Sequence, residues 1–224
     1  MNKNPTFKYS ITTTVIFLLV LWCVKSAEQI FGFSFRELGV KPGDVSGLLG
    51  IAFAPLIHAS YEHLISNTLP LLILGSVLFY GYPKSSNITV AIIWFFSGLG
   101  VWLFARDSYH VGASGLTHGI FFYLLITSIL RRDKRSIALM MIAFFMYGGM
   151  VLSILPREQH ISFEYHLFGA IAGIVCAALF YKWDPKLERK KYEWENESEP
   201  DEPIGNWRLE EEEEEDLIGD EWKR

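Results

Sequence analysis

Four polar side chains in otherwise apolar stretches have the types that acyl-transfer chemistry requires. Ser114 lies in a glycine-rich segment, and His166 lies in an apolar stretch further along the chain. A serine hydroxyl is a poor nucleophile until an imidazole takes its proton, so the pair predicts Ser114 as nucleophile and His166 as general base. His63 and Asn67 share a helix face because they are four residues apart. Their N–H groups could stabilise negative charge on a carbonyl oxygen, as an oxyanion hole does.

Glycines surround both candidate catalytic residues. In membrane helices, small residues spaced by four allow two backbones to approach closely, which would bring a serine on one helix to a histidine on another. Five glycines are expected to provide this close packing: Gly112, Gly115, Gly119, Gly169 and Gly173.

The acidic residues near His166 do not suggest a third catalytic member. Glu164 is two residues away and points elsewhere on a helix, and Asp107 falls in a predicted loop. A Ser–His dyad is therefore favoured over a triad. This chemistry requires neither a cofactor nor a metal ion, and the methionines at 140–150 are interpreted as packing residues.

The elements that must position these residues are membrane helices. Half of the 224 residues are hydrophobic and 20% are charged, with a mean hydropathy of +0.23, which argues against a water-soluble globule. A helix needs roughly 17–25 apolar residues to span a bilayer. Six uncharged runs come close to or meet that length: 9–24, 64–83, 85–105, 108–130, 136–156 and 165–181. The sequence therefore predicts an all-α, polytopic membrane protein with six transmembrane helices.

A seventh uncharged segment and the first of the six runs each have an alternative interpretation. Residues 45–61 are uncharged, but glycines, Pro55 and His58 leave too short an apolar core to span, so an interfacial segment is expected. The first run could instead be a signal peptide. Cleavage after Ala27 would place Lys25 at a position that needs a small residue, which disfavours that alternative.

The distribution of charge predicts an orientation. With six spans and the N-terminus inside, the inner segments up to residue 191 hold twelve Lys and Arg and the outer segments hold five. Both termini are then cytoplasmic, and the starts of spans two, four and six lie at the outer face. His63, Asn67, Ser114 and His166 all lie near those starts, so the predicted site opens to the outer face.

A change of composition divides the chain into two regions. Residues 1–184 form the predicted membrane domain, and residues 185–224 carry 7 Lys and Arg against 16 Asp and Glu. Seven consecutive acids at 210–216 predict that this region is a solvated, disordered cytoplasmic tail. The net charge of −5 thus belongs to the tail and does not indicate a nucleic-acid partner.

Isolated polar residues in membrane helices also have ordinary structural roles. A serine between glycines is often a packing residue, and a histidine near a helix end is often interfacial. A transporter or channel would instead place polar groups near the midplane or along a path to both faces. The convergence of four polar residues at one depth, on alternate spans, favours a catalytic site.

These residues resemble the signature of the rhomboid family of intramembrane serine proteases. The resemblance rests on His58-x4-His63-x3-Asn67, Gly112-x-Ser114-Gly115 and His166-x2-Gly169-x3-Gly173, and it covers roughly residues 9–183. It implies a six-helix bundle with a cavity open to the outer face. Ser114 and His166 would be catalytic, with His63, Asn67 and the Ser114 N–H as the oxyanion hole. His58 would support structure near that cavity.

The resemblance also implies partners: the substrates would be single-span membrane proteins in the lipid bilayer, and the oligomeric state is not indicated. The positive-inside bias, together with the lack of an obvious targeting signal, favours a bacterial inner membrane as the location, with an organelle membrane as the alternative. Two departures stand out. The first loop lacks the Trp-Arg pair of many members, and His118 replaces the aromatic residue that packs on the catalytic histidine. A catalytically inactive chaperone or adaptor of the same fold is the alternative function.

Overall fold

A computed structural model describes residues 6–156 and 162–186 of the chain. Within these ranges the regular structure is helical, and two residues, Val40 and His110, form an isolated antiparallel bridge. The predicted all-α fold is confirmed. The seven α-helices in the described ranges are α1 (Phe7–Phe31), α2 (Leu49–Phe53), α3 (Tyr61–Gly81), α4 (Ser86–Phe104), α5 (Ser114–Arg131), α6 (Lys134–Tyr147) and α7 (Phe163–Phe180).

Five of these helices are long and apolar enough to cross a bilayer: α1, α3, α4, α7, and α6 extended by a 3₁₀ turn to Val151. The predicted fourth span, α5, is also 18 residues long but is not one of these five. Fourteen of its residues are buried, because it packs against α3, α4, α6 and α7. A helix lined by protein needs no apolar surface towards lipid, so the count of six spans is approximate.

The N-terminal segment is an integral part of the bundle. Helix α1 continues through the position considered for signal cleavage and packs against α3. The Trp22 indole donates to the Thr68 hydroxyl (3.2 Å), and a side chain on Gly75 would contact Thr14 at 3.0 Å.

The segment between α1 and α3 is too short in each helical piece to span, as expected for residues 45–61. Helix α2 and the 3₁₀ turns around it lie against α4 instead. Two tryptophans of α4 hold this segment. The Trp94 indole N–H lies 3.1 Å from the Ile51 carbonyl oxygen, and the Trp102 indole donates to the Asp44 carbonyl (2.8 Å). Helix α4 thus supplies aromatic anchors to a loop that lacks the Trp-Arg pair.

At the opposite end of the bundle, Arg131 fixes the end of α7. Its buried guanidinium donates to the Tyr181 and Asp184 carbonyl groups, both at 2.7 Å. The Asp184 carboxylate in turn accepts from the Ser85 hydroxyl (2.6 Å). The acidic region beyond residue 186 lies outside the described residues, so the boundary between 1–184 and 185–224 stays a prediction.

Candidate functional site

Ser114 is the first residue of α5, directly after a tight loop. Gly112 in that loop has φ +116°, a left-handed conformation that glycine adopts readily. A side chain at Gly112 would lie 2.5 Å from Cε1 and 2.8 Å from Nε2 of His63. The loop therefore needs glycine for its backbone and for its space, and His63 lies against it two residues before Ser114.

His58 anchors the same loop from the segment that precedes α3. The Ala113 N–H donates to His58 Nε2 (3.4 Å), and the Gly112 N–H donates to the Ala54 carbonyl (2.9 Å). His58 is buried, and its ring packs edge-on against His63 at 5.1 Å. Burial, with a smaller contribution from His63, lowers the pKa of His58 from its usual 6.5 to about 3. A neutral His58 is therefore the state that holds the loop.

This burial predicts that acid destabilises the protein. The unfolded chain binds a proton at His58 below about pH 6.5, whereas the folded chain does not until about pH 3. The contribution of neutral His58 to the free energy of unfolding is therefore fully present above pH 6.5 and is lost as the pH falls towards 3. Buried His110, whose pKa burial also lowers, acts in the same direction. Thermal unfolding measured from pH 7.5 to 5 should show a falling Tm, with a shallower slope in His58→Gln, which retains an acceptor without the titration. If Tm fell equally steeply with pH in wild type and His58→Gln, burial of a neutral His58 would not be the cause.

Helices α5 and α7 meet through their glycines. A side chain at Gly169 would come within 2.8 Å of the Gly115 carbonyl carbon, and one at Gly173 within 2.8 Å of the Gly119 carbonyl carbon. A side chain at Gly115 would strike the Tyr165 ring at 2.6 Å. Backbones this close leave no room for a β-carbon, and the contact places the first turns of α5 and α7 side by side.

The imidazoles of His118 and His166 stack across this contact. Their ring centroids are 3.8 Å apart and their planes differ by 9°. His118 Nδ1 lies 2.7 Å from the Ser114 carbonyl, and His166 Nδ1 lies 3.0 Å from the Ser153 carbonyl. Because a carbonyl oxygen only accepts, Nδ1 of His166 carries the proton and its Nε2 is left with a lone pair. A base with this tautomer can take a proton from a hydroxyl.

The two predicted catalytic residues and the two predicted oxyanion-hole residues are arranged less simply than their spacing suggests. Ser114 and His166 are both buried, but no hydrogen bond joins their side chains within the described chain. His118 stacks on His166 and contacts the backbone carbonyl of Ser114. Catalytic hydrogen bonds are often long before substrate binds. The Asn67 side-chain N–H donates to the His63 carbonyl oxygen (2.9 Å). This hydrogen bond uses one of the two amide hydrogens of Asn67.

Two contacts at the site, made by Ser153 and His110, are not predicted by any pattern in the sequence. Ser153 lies in a run interpreted as apolar span, and its contacts with both imidazoles arise only from the turn after α6. His110, four residues before Ser114, contacts the Ser162 hydroxyl at 2.7 Å and so joins the loops that precede α5 and α7. One carboxylate oxygen of Glu164 pairs with Arg106 at 3.2 Å.

The structure is that of a helical membrane protein with a serine and a histidine on neighbouring helices, and comparison with known proteins identifies its family. The rhomboid domain model matches residues 46–183, so the chain belongs to the rhomboid family. This family consists typically of intramembrane serine proteases, which act on membrane proteins within the bilayer, and the chain is an integral membrane protein.

Mycobacterial proteins described as uncharacterized are similar to this chain. Relatives from Mycobacterium bovis and Mycobacterium tuberculosis are each 35% identical over 187 residues, which cover 80% of this chain and 78% of theirs. A relative from Mycobacterium leprae is 33% identical over 187 residues, covering 80% of this chain and 74% of its own.

Proposed function

We propose that this protein is an intramembrane serine endopeptidase that uses a Ser114–His166 dyad. The observation that carries the proposal is the orientation of His166. Its Nδ1–H is held by the Ser153 carbonyl and its ring by the flat stack on His118, one helical turn after Ser114. This arrangement leaves His166 Nε2 as a proton acceptor on the helix packed against that of Ser114.

The reaction would proceed through an acyl-enzyme. His166 Nε2 takes the Ser114 hydroxyl proton as Oγ attacks the scissile carbonyl carbon. The tetrahedral intermediate collapses when His166 returns that proton to the leaving amine. A water molecule, deprotonated by His166, then attacks the ester carbonyl, and the proton passes back to Ser114 as the acid product leaves.

The negative oxygen of the tetrahedral intermediate needs fixed donors. The Ser114 N–H is one of the first four amides of α5, which have no intrahelical acceptor and lie at the positive end of the helix. His63, against Gly112, and the second amide hydrogen of Asn67 are the side-chain donors of this proposed oxyanion hole.

Removal of the Asn67 donor is expected to slow catalysis without abolishing it. Asn67→Ala should lower kcat by about 10²–10³, the usual effect of losing one oxyanion-hole donor. The rate of cleavage of a single-span substrate in proteoliposomes would measure this. Asn87→Ala, at an exposed position near the start of α4, is the matched control. An Asn67→Ala enzyme as fast as that control would remove Asn67 from the oxyanion hole.

The substrates proposed are single-span membrane proteins that enter the site from the bilayer. The proposed location is a bacterial inner membrane, and the positive-inside bias supports cytoplasmic termini and a site open to the outer face.

A serine-directed fluorophosphonate probe tests the proposed function without knowledge of the substrate. The detergent-solubilised wild type should be labelled, and Ser114→Ala and His166→Ala should not, because the probe reacts with an activated serine. Folded wild-type protein that resists the probe would contradict the proposal and favour the inactive chaperone or adaptor.

A further inference from the structure

Ser153 contacts both stacked imidazoles of the site. It lies in the turn after α6, where its carbonyl oxygen is 3.0 Å from His166 Nδ1 and its hydroxyl oxygen is 2.7 Å from His118 Nε2. One residue thus joins two rings that belong to α5 and α7. Because the residue is 35 positions after His118 and 13 before His166, only the folded bundle creates this contact.

The hydrogen-bond chemistry at Ser153 is determined by its partners. His118 Nδ1 faces the Ser114 carbonyl, which only accepts, so in the neutral ring Nδ1 carries the proton and Nε2 holds the lone pair. A hydrogen bond across the 2.7 Å between them then requires the Ser153 hydroxyl to donate to His118 Nε2. The Met150 carbonyl, 2.9 Å from the same hydroxyl, is its alternative acceptor. The contact with His118 gives that ring a partner at both nitrogens.

A ring held at both nitrogens cannot rotate about its χ2 bond without breaking both hydrogen bonds. His118 is 5% exposed and His166 8%, so water offers little replacement for those bonds. The fixed His118 ring packs against one face of the His166 ring, and the Ser153 carbonyl fixes the tautomer of His166. In a Ser–His–Asp triad the acid orients the histidine in this way, whereas here a neutral backbone carbonyl does so.

We propose that Ser153 is a positioning residue for His166, acting directly through its carbonyl and indirectly through its hydroxyl and His118. The inference rests on the proposed protease function and deepens it. The turn after α6 thereby becomes part of the machinery that orients the general base. Displacement of this turn would release both rings.

The test removes the hydroxyl and leaves the carbonyl in place. In full-length Ser153→Ala, reconstituted with a single-span test substrate, kcat should fall about tenfold with KM unchanged, as expected for loss of one buried hydrogen bond that orients a catalytic group. The rate of fluorophosphonate labelling should fall by a similar factor. Ser153→Thr, which keeps a hydroxyl, should retain most of the activity.

A matched control is available on α5. The Ser128 hydroxyl donates to the carbonyl three residues earlier (2.7 Å), as the Ser153 hydroxyl can to Met150, but it lies near the other end of the helix. Ser128→Ala should leave kcat unchanged. An equal fall in Ser128→Ala, or in Ser153→Thr, would overturn the positioning role, since the hydroxyl at Ser153 would then not be the cause.

A double-mutant cycle separates this inference from the proposed function. His118→Phe keeps a flat ring but has no nitrogens, so Ser153→Ala should have no further effect on kcat in that background. Additive losses would show that Ser153 does not act through His118. If wild type cleaves and Ser114→Ala does not, but Ser153→Ala retains full kcat, the positioning role alone fails. Absence of Ser114-dependent cleavage in wild type would overturn both.

Discussion

Alanine at Ser114 is expected to reduce cleavage to background, a loss of roughly 10⁴-fold or more, as for other enzymes deprived of a catalytic serine. The change removes a single oxygen atom that makes no hydrogen bond within the described chain, so the fold should be retained. His166→Ala should have the same effect on the rate, because the hydroxyl then has no base. Cleavage of a single-span substrate in proteoliposomes measures both.

The control for this experiment is another buried serine. The Ser97 hydroxyl donates to the Trp94 carbonyl (3.1 Å) within α4, so Ser97→Ala makes the same chemical change in another helix. It should cleave at the wild-type rate. If Ser114→Ala retained half the wild-type rate, Ser114 could not be the nucleophile.

Alanine at Gly169 is expected to damage both stability and activity. Its β-carbon would lie 2.8 Å from the carbonyl carbon and 3.0 Å from Cα of Gly115, and backbone cannot yield as a flexible side chain can. Overpacking of this kind costs about 1–3 kcal/mol of unfolding free energy. Since Gly115 follows Ser114 directly, separating α5 from α7 also moves Ser114 from His166. A displacement of about 1 Å can cost 10²-fold in rate.

Thermal unfolding and cleavage assays on the same preparation test this expectation. Gly149→Ala is the matched control, because a β-carbon at Gly149 meets no atom within 4 Å and its φ is not left-handed. It should leave Tm and kcat unchanged. A Gly169→Ala protein with wild-type Tm and kcat would show that the α5–α7 contact relaxes freely, and that close glycine packing is not needed for the site.

His118, which replaces the aromatic residue of many family members, shows that the type of a residue does not determine its role in the site. In the sequence, His118 could have stacked on His166 or competed with it for the Ser114 proton. In the structure the rings stack flat and His118 is engaged at both nitrogens, by the Ser114 carbonyl and the Ser153 hydroxyl. Its Nε2 is therefore occupied, and the ring supports His166 rather than replacing it.

The sequence by itself determined the helical membrane character, the family and the set of candidate site residues. These depend on local properties. A run of apolar residues is long enough to span or it is not, and a polar residue within one is costly wherever it lies. For the same reason the segment at 45–61 was correctly predicted not to span.

The tertiary structure alone decided how those residues meet. Helix α5 lies within the bundle, where four other helices cover it. The Ser153 contacts depend on side-chain rotamers and on where α6 ends. Such contacts join residues distant in sequence, and no local pattern encodes them, because their geometry is set by the packing of whole helices.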